Sequence, residues 1–308
     1  MKDKDKSIYV SRELMEYLYG YAFLADGEKA LKRTTIFGFG KSQKYEDAAE
    51  AFTKAGNAFK LANLWESAGD AFIKAAECEN EVIYSSNKLV EAANSYKKIN
   101  PVKAIKTFYR VIEIYNEAGK FSQSARYYQE VGEIYESDGN TEGAQEAYQQ
   151  AANLLLGENK TQIATKCLLK VATLASGHDD FAKAADIFES IGRASMETRS
   201  SAYSAKGYLL QCCLCHLALG DAVAAMGKLD EFKSVDYSFP SSRECEFLEK
   251  LLTAFDGCNT EDFSQTCADF DRVSPLDPWK TTVLLKAKRH IDAATGEDPD
   301  GDDDMDMT

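Results

Sequence analysis

Apolar positions along this chain follow a helical period within segments and a longer period between segments. A small residue followed four positions later by an aromatic residue or leucine recurs at Ala48/Phe52, Ala68/Phe72, Ala104/Phe108, Ser124/Tyr128, Ala144/Tyr148, Ala164/Leu168, Ala184/Phe188 and Ser204/Tyr208. This spacing puts both members on one helix face, where the small residue admits a neighbouring helix and the large residue fills the gap. From Phe108 to Tyr208 the step between large residues is always twenty.

Turn-forming residues separate the pairs at nearly the same interval. They are Ala118-Gly119, Asp138-Gly139-Asn140, Gly157-Glu158-Asn159 and Ser176-Gly177. Each unit is therefore predicted to be one helix of about 15 residues and a short turn. Two units make a helical hairpin that cannot bury its apolar face alone, so neighbouring hairpins must stack. The sequence predicts an all-α array of antiparallel helical hairpins, with a repeat longer than the tetratricopeptide repeat of about 34 residues.

The repeat is interrupted once and then fades. In residues 81–100 the Ala92/Tyr96 pair comes four residues late, which predicts an extra or slipped helix before Pro101 opens the next one. After about residue 215 the chain keeps apolar helical stripes without the repeat, and Pro240, Pro275 and Pro278 separate them. We predict a helical array over 1–215, a C-terminal helical bundle over 216–295 packed on its end, and an acidic disordered tail over 296–308.

Composition is typical of a folded protein of the cytosol. Apolar residues make up 44% of the chain and charged residues 28%, and no apolar run approaches the roughly 18 residues of a membrane span. The first residues, MKDKDKSIYV, lack the apolar stretch of a secretion signal. The eight cysteines have no framework spacing, so we expect reduced thiols and a cytoplasmic location.

Negative charge is concentrated at the C-terminus. The net charge is −14, and residues 296–308 hold seven carboxylates and no base. Charge of this sign argues against nucleic-acid binding. An acidic tail repels itself and suits a basic partner.

The repeat aligns three basic residues on alternate helices. Arg126, Lys166 and Lys206 each come two residues before the large residue of a pair and are forty residues apart. We call these three residues the basic row, and the spacing predicts that they face the same side of the stack. The intervening helices carry Lys106, Glu146 and Asp186 at this position. A row of cations of this kind would bind an elongated acidic rod through charge complementarity.

The stretch TTIFGFGKSQ, residues 34–43, combines glycines with exposed-looking apolar residues. It ends like a phosphate-binding loop, but Thr35 stands where that motif needs glycine, and a helix precedes it instead of a strand. Bases flank Ile36, Phe37 and Phe39 on both sides, which suits contact with an anionic membrane surface. The alternative is an ordinary loop whose phenylalanines pack on the first helix.

No pattern in the chain indicates catalysis. Cys212, Cys215 and His216 could share a helix face and bind zinc, but one cluster without a second pair is weak evidence, and its neighbours are apolar. We expect buried cysteines, no metal and no cofactor. The remaining histidines have no nucleophile pattern nearby, and the serine-hydrolase and metalloprotease motifs are absent from the sequence.

Several stretches together resemble one family, the soluble NSF attachment proteins of the alpha type, where NSF is the N-ethylmaleimide-sensitive factor. They are AAEAFTKAGNAFKLANLWESAGDAF (48–72), AGKF (118–121), NKTQIATKCLLKVA (159–172), YSAKGY (203–208), SRECEFLEKLL (242–252) and LDPWKTTVLLKAKR (276–289). The resemblance covers nearly the whole chain. It implies a right-handed twisted solenoid of antiparallel helical hairpins with a C-terminal bundle. It also implies a non-enzymatic adaptor that places several copies along the four-helix, syntaxin-containing SNARE rod and stimulates ATP hydrolysis by the NSF hexamer.

The resemblance also implies roles for particular residues. The SNARE-contacting bases of the family match Lys97, Lys98, Lys120, Arg126, Lys166, Lys170, Lys206 and Arg243. The membrane loop matches Phe37 and Phe39 with Ile36 beside them, and the NSF-activating end matches Asp304, Asp306 and Met307. The family usually has leucine as its penultimate residue, so Met307 is a departure that puts the strength of ATPase stimulation in doubt.

Two other functions remain open on the residues alone. One is a generic tetratricopeptide-like scaffold that captures peptide tails, which would show no salt-sensitive binding to folded coiled coils. The other is an enzyme that uses the cysteine-histidine cluster.

Overall fold

The computed structural model describes residues 2–34, 41–79, 81–197 and 201–296. Within these residues the chain forms fourteen α-helices and no strand. The helices are α1 Lys2–Leu31, α2 Lys41–Leu61, α3 Trp65–Cys78, α4 Val82–Tyr96, α5 Pro101–Glu117, α6 Phe121–Ser137, α7 Thr141–Gly157, α8 Thr161–Gly177, α9 Phe181–Met196, α10 Ala202–Ala218, α11 Ala222–Val235, α12 Arg243–Asp256, α13 Thr260–Val273 and α14 Pro278–Thr295. The all-α helical-repeat prediction is confirmed.

The four turns between α5 and α9 recur every twenty residues. A residue with positive φ closes each one: Gly119 (φ 67), Gly139 (φ 75), Asn159 (φ 59) and Asp179 (φ 64). Glycine, asparagine and aspartate are the residues that adopt this left-handed conformation most easily. The last turn was predicted at Ser176-Gly177, but α8 continues through Gly177 and turns at Asp179.

Side chains at the start of several helices form N-terminal capping hydrogen bonds. The side-chain oxygens of Asn140 and Asp180 accept hydrogen bonds from the backbone N–H of Gly143 (3.0 Å) and Lys183 (3.1 Å). Such caps satisfy donors that a helix leaves unpaired at its first turn. Asn100 caps α5 in the same way, with Pro101 as its first residue.

The small and large residues of the repeat form the core. Both members are buried in the pairs Ala48/Phe52, Ala68/Phe72, Ala104/Phe108, Ala144/Tyr148 and Ala184/Phe188. Glycines extend the same principle, since a Cβ added at Gly56 would lie 2.8 Å from the Phe72 ring. Consecutive helices therefore approach closely where one of them has almost no side chain.

Residues 81–100 form a slipped helix and not an extra one. Ala92 and Tyr96 of α4 are buried, like the other pairs. The Tyr96 ring lies against Gly69 of α3, and its hydroxyl donates to the Asp70 carboxylate at 2.6 Å. Thus α4 pairs with α3 as an ordinary hairpin partner, although its core residues come four positions late.

The repeat register changes by one residue at α10, which the sequence analysis missed. Ser204 is exposed, while Ala205 and Leu209 are fully buried, so the core pair is Ala205/Leu209. The positive-φ glycine after α10 is Gly220, one residue later than the twenty-residue count requires. A shift of one position rotates every side chain of the helix by about 100° relative to the expected register.

The contacts divide the chain into two compact units, residues 1–164 and 165–308. In the first unit the core lies between successive helices from α1 to α7. In the second, one core joins α9 and α10 to α11, α12 and α14. The predicted boundary at 215/216 rests on the fading of the repeat and stays a prediction.

Trp279 connects the C-terminal helices to the repeat helices of the second unit. Its ring packs edge-on against Phe188 with centroids 5.1 Å apart, and its indole N–H donates to Ser176 Oγ at 2.8 Å. Within this unit, Trp279 therefore packs α14 against α8 and α9. No helix among the described residues combines the length and hydropathy needed to cross a bilayer.

We predict that Gly69→Ala destabilises the protein by about 1–3 kcal/mol, because the new methyl group would overlap the buried, hydrogen-bonded Tyr96 ring. The measurement is the midpoint of thermal unfolding followed by circular dichroism.

Gly227→Ala is the matched control, since this helix-interior glycine of α11 has open space around its Cα. We expect it to stabilise by about 0.5–1 kcal/mol through helix propensity. Equal midpoints for the two variants would contradict the close approach of α3 and α4.

Candidate binding surface

Arg126, Lys166 and Lys206, the basic row, all lie in the second turn of a helix. They belong to α6, α8 and α10, respectively, with Arg126 in the first compact unit and the other two in the second. Arg126 and Lys166 are exposed and follow the buried residues Ser124 and Ala164 by two positions. Their local placement matches the repeat that predicted them.

Lys206 is turned relative to this pattern. Because the core pair of α10 begins at Ala205 and not Ser204, Gly207 occupies the position equivalent to Arg126. Lys206 is half-buried, and its Nζ donates to the carbonyl oxygen of Ser238 at 3.1 Å. Arg126 and Lys166 therefore occupy corresponding positions on their own helices, whereas Lys206 is offset by one position and lies against the turn that precedes α12. That the three bases face the same side of the stack stays a prediction.

Lys97 and Lys98 follow α4 directly and differ in their surroundings. The Lys97 ammonium pairs with Glu130 at 2.8 Å and with Glu133 at 3.4 Å. Burial lowers the pKa of Lys97, but hydrogen bonds to these carboxylates outweigh burial and raise it overall. Lys98 is exposed. Glu130 and Glu133 thus neutralise most of the positive charge that Lys97 could offer to a partner.

Among the other predicted SNARE-contacting bases, Lys120 and Arg243 lie at helix starts and Lys170 lies in the middle of α8. Lys120 is half-buried and immediately precedes α6, Lys170 is exposed one turn after Lys166, and Arg243 is the exposed first residue of α12. Arg243 also lines a groove of about 280 Å³ between α12 and α13, where Phe247 and Phe270 stack with centroids 4.1 Å apart.

Several of these bases have no acidic partner. Over the part of the chain that the structure describes, no carboxylate lies within 4.0 Å of the charged groups of Lys98, Arg126, Lys166, Lys206 or Arg243. Unpaired cations in a protein of net charge −14 retain a local positive potential for an external anion. Lys106 on α5 also lacks a partner there, so pairing alone does not define the set.

The apolar loop and the acidic tail hold the remaining predicted site residues. Ile36, Phe37 and Phe39, like Asp304, Asp306 and Met307, lie outside the described residues. Helix α1 does precede the loop, as the argument against a phosphate-binding loop assumed. Of the bases that flank it, exposed Arg33 pairs with Asp47 at 2.6 Å.

A family model described as "Soluble NSF attachment protein, SNAP" matches residues 20–292 of the chain. The chain belongs to this family. The match spans both compact units and all the bases discussed above, so the family assignment drawn from separate sequence stretches is confirmed.

Curated relatives named as alpha-type and beta-type soluble NSF attachment proteins align over most of this chain. The bovine beta-soluble NSF attachment protein is 36% identical and covers 92% of this chain and 95% of its own. The mouse alpha-soluble NSF attachment protein is 35% identical, with 88% and 94% covered. A probable vesicular-fusion protein, the sec17 homolog of Schizosaccharomyces pombe, is 34% identical, with 87% and 95% covered.

The cysteine-histidine cluster belongs to the core of this family member. Cys212, Cys213 and Cys215 are fully buried in the apolar cluster of the second unit. Burial raises the pKa of Cys212 to about 12, raises the pKa of the other two thiols, and lowers the pKa of half-buried His216. The predicted burial of these cysteines is confirmed, and a buried, protonated thiol is a poor nucleophile.

The same burial predicts the reactivity of the thiols. At about pH 8 we expect a small thiol reagent to modify Cys258 promptly in the native protein, since this cysteine is exposed. Cys212, Cys213 and Cys215 should react slowly, because burial hides their thiols from the reagent and raises their pKa. The measurement is mass spectrometry of timed samples.

Cys258→Ala should abolish the prompt reaction, and denaturant should expose all eight thiols of the unaltered chain. Prompt modification of Cys212 or Cys215 in the native state would contradict their role as core residues.

Proposed function

We propose that the protein is a non-enzymatic adaptor that binds four-helix SNARE complexes, recruits the NSF ATPase and stimulates ATP-driven disassembly in vesicle fusion and membrane trafficking. Family membership along nearly the whole chain supports this function, as do the names of relatives. The structural observation that carries it is the set of unpaired bases at corresponding turns of α6 and α8 in an acidic protein.

Binding to the SNARE rod is electrostatic in this proposal. Lys98, Lys120, Arg126, Lys166, Lys170, Lys206 and Arg243 meet the acidic surface of the bundle, and Lys97 contributes less because Glu130 and Glu133 hold its charge. Contacts between exposed charges are individually worth about 1 kcal/mol or less, so affinity comes from many of them. Several copies along one rod add avidity without new contacts.

The opposite partner is the NSF hexamer. We assign its recruitment to the C-terminal helices and its activation to Asp304, Asp306 and Met307, with the tail's carboxylates facing basic domains of the ATPase. Methionine is close to leucine in size and hydropathy, which supports retained stimulation. Within each compact unit, pulling force would pass through the core that the stacked helices share.

Membrane contact is an auxiliary part of the proposal. Ile36, Phe37 and Phe39 enter the headgroup region of an anionic bilayer, with neighbouring bases at the phosphates. Burying two phenylalanine rings contributes only a few kcal/mol. The loop therefore concentrates a cytoplasmic, peripherally associated protein on membranes that carry its SNARE partners.

The central test is disassembly of a soluble SNARE four-helix complex by NSF and ATP. We expect disassembly with the unaltered protein and none without it. Lys166→Glu combined with Lys206→Glu should abolish SNARE pull-down at physiological salt, because two attractive contacts become repulsive, while far-UV circular dichroism stays unchanged.

The control changes the net charge equally, at two bases outside the set assigned to SNARE binding. It combines Lys54→Glu on α2 with Lys106→Glu on α5 and should bind the SNARE complex as the unaltered protein does. Equal binding of the SNARE complex by both double variants would contradict the proposed electrostatic surface. Salt-insensitive binding of short peptides alone would favour a generic scaffold instead.

The loop is tested separately. Phe37→Ser with Phe39→Ser should slow NSF-driven disassembly of SNARE complexes anchored in anionic liposomes several-fold and leave disassembly of soluble complexes unaffected. The reason is that membrane contact brings the protein close to its SNARE partners only when those partners are anchored in the membrane. An equal loss in both assays would mean that the phenylalanines act within the folded protein.

A further inference from the structure

The turn between α11 and α12, residues 236–242, is firmly anchored. Phe239 is fully buried and packs edge-on against Phe232, with centroids 6.4 Å apart. Ser242 caps α12 and its hydroxyl donates to the carbonyl oxygen of Phe239 at 2.6 Å. Pro240 further restricts the backbone. This segment therefore holds a defined conformation against the core of the second unit.

Tyr237 projects from this anchored turn into solvent. Its side chain is 93% exposed, although Phe239 two residues later is completely buried. Asp236 holds the backbone beside it, since one carboxylate oxygen accepts from both the N–H and the hydroxyl of Ser238 at 2.8 Å. The exposure of Tyr237 is thus a property of an ordered turn and not of a loose one.

Two of the bases assigned to SNARE binding adjoin this turn. Lys206 Nζ bonds the carbonyl oxygen of Ser238, the residue next to Tyr237, at 3.1 Å. Arg243 begins α12 directly after the turn. Neither base has a carboxylate within 4.0 Å over the described ranges, so both can bind an outside acid. Tyr237 therefore adds an apolar ring and a hydroxyl to a turn that two unpaired bases adjoin.

Single exposed apolar side chains are ordinary on protein surfaces and carry no meaning alone. The position of Tyr237 is what distinguishes it. An aromatic ring with a polar tip loses little conformational entropy on binding, and tyrosine is enriched where interfaces are most buried. Beside two unpaired cations, such a ring fits an acidic helical surface, where it packs on side-chain stems while its hydroxyl donates to a carboxylate.

We propose that Tyr237 is a contact residue for the acidic four-helix bundle and supplies apolar and hydrogen-bonding interactions that the neighbouring bases cannot. This inference rests on the proposed SNARE-binding function and deepens it. It adds an uncharged contribution to a surface that otherwise binds by charge, and it assigns that contribution to a turn outside the helical repeat.

The test is binding of a soluble SNARE four-helix complex to the full-length protein over a series of salt concentrations. We expect Tyr237→Ala to weaken binding about five-fold, as truncation of a buried interfacial tyrosine does. The slope of log affinity against log salt should stay unchanged, because no charge is lost. Lys206→Ala should reduce that slope, and Tyr237→Phe should retain most of the affinity.

Val223→Ala provides the matched control. Val223 is 84% exposed in the same unit but lies at the other end of α11 from the turn, so its truncation should leave binding unchanged. The assignment of Tyr237 would be overturned if the Tyr237→Ala variant bound the SNARE complex as tightly as the unaltered protein. It would also be overturned if the variant melted at a lower temperature and this loss of folded protein accounted for its weaker binding. Absence of binding by the unaltered protein would instead reject the proposed function.

Discussion

The close approach of consecutive helices is the interaction on which the rest of the molecule depends. A small residue on one helix leaves space that an aromatic ring on the next helix fills, as Gly69 does for Tyr96 and Gly56 for Phe72. Because these contacts interlock, they fix the rotation of each helix about its axis. Every exposed side chain is thereby placed by residues that never reach the surface.

The bases of the candidate binding surface show this dependence directly. Arg126 and Lys166 are exposed because Ser124 and Ala164, two positions earlier, are fully buried. In α10 the buried residue is Ala205, and Lys206 is accordingly half-buried and hydrogen-bonded to Ser238. A shift of the buried positions by one residue thus decides whether a lysine is exposed to solvent or hydrogen-bonded to a neighbouring turn.

Some bases of this protein are paired with its own carboxylates, and others are not. Lys97 is bound to Glu130 and Glu133, whereas Lys98 beside it is unpaired within the described residues. A pair already satisfied inside the protein must be broken before it can bind a partner, so the unpaired bases carry the external potential. This division leaves unpaired positive charge on an acidic protein, as the proposed binding of an acidic partner requires.

Periodicity along the chain by itself determined the helices, the twenty-residue step and the burial of Phe108, Tyr148 and Phe188, because helix geometry and small-to-large packing are local rules that recur in the sequence. It also located the unpaired bases Arg126 and Lys166. Only the tertiary structure decided the pairing of Lys97, the one-residue shift of α10 and the exposure of Tyr237 on its anchored turn. Those features depend on contacts between residues distant in the chain, and a repeat count carries no information about them.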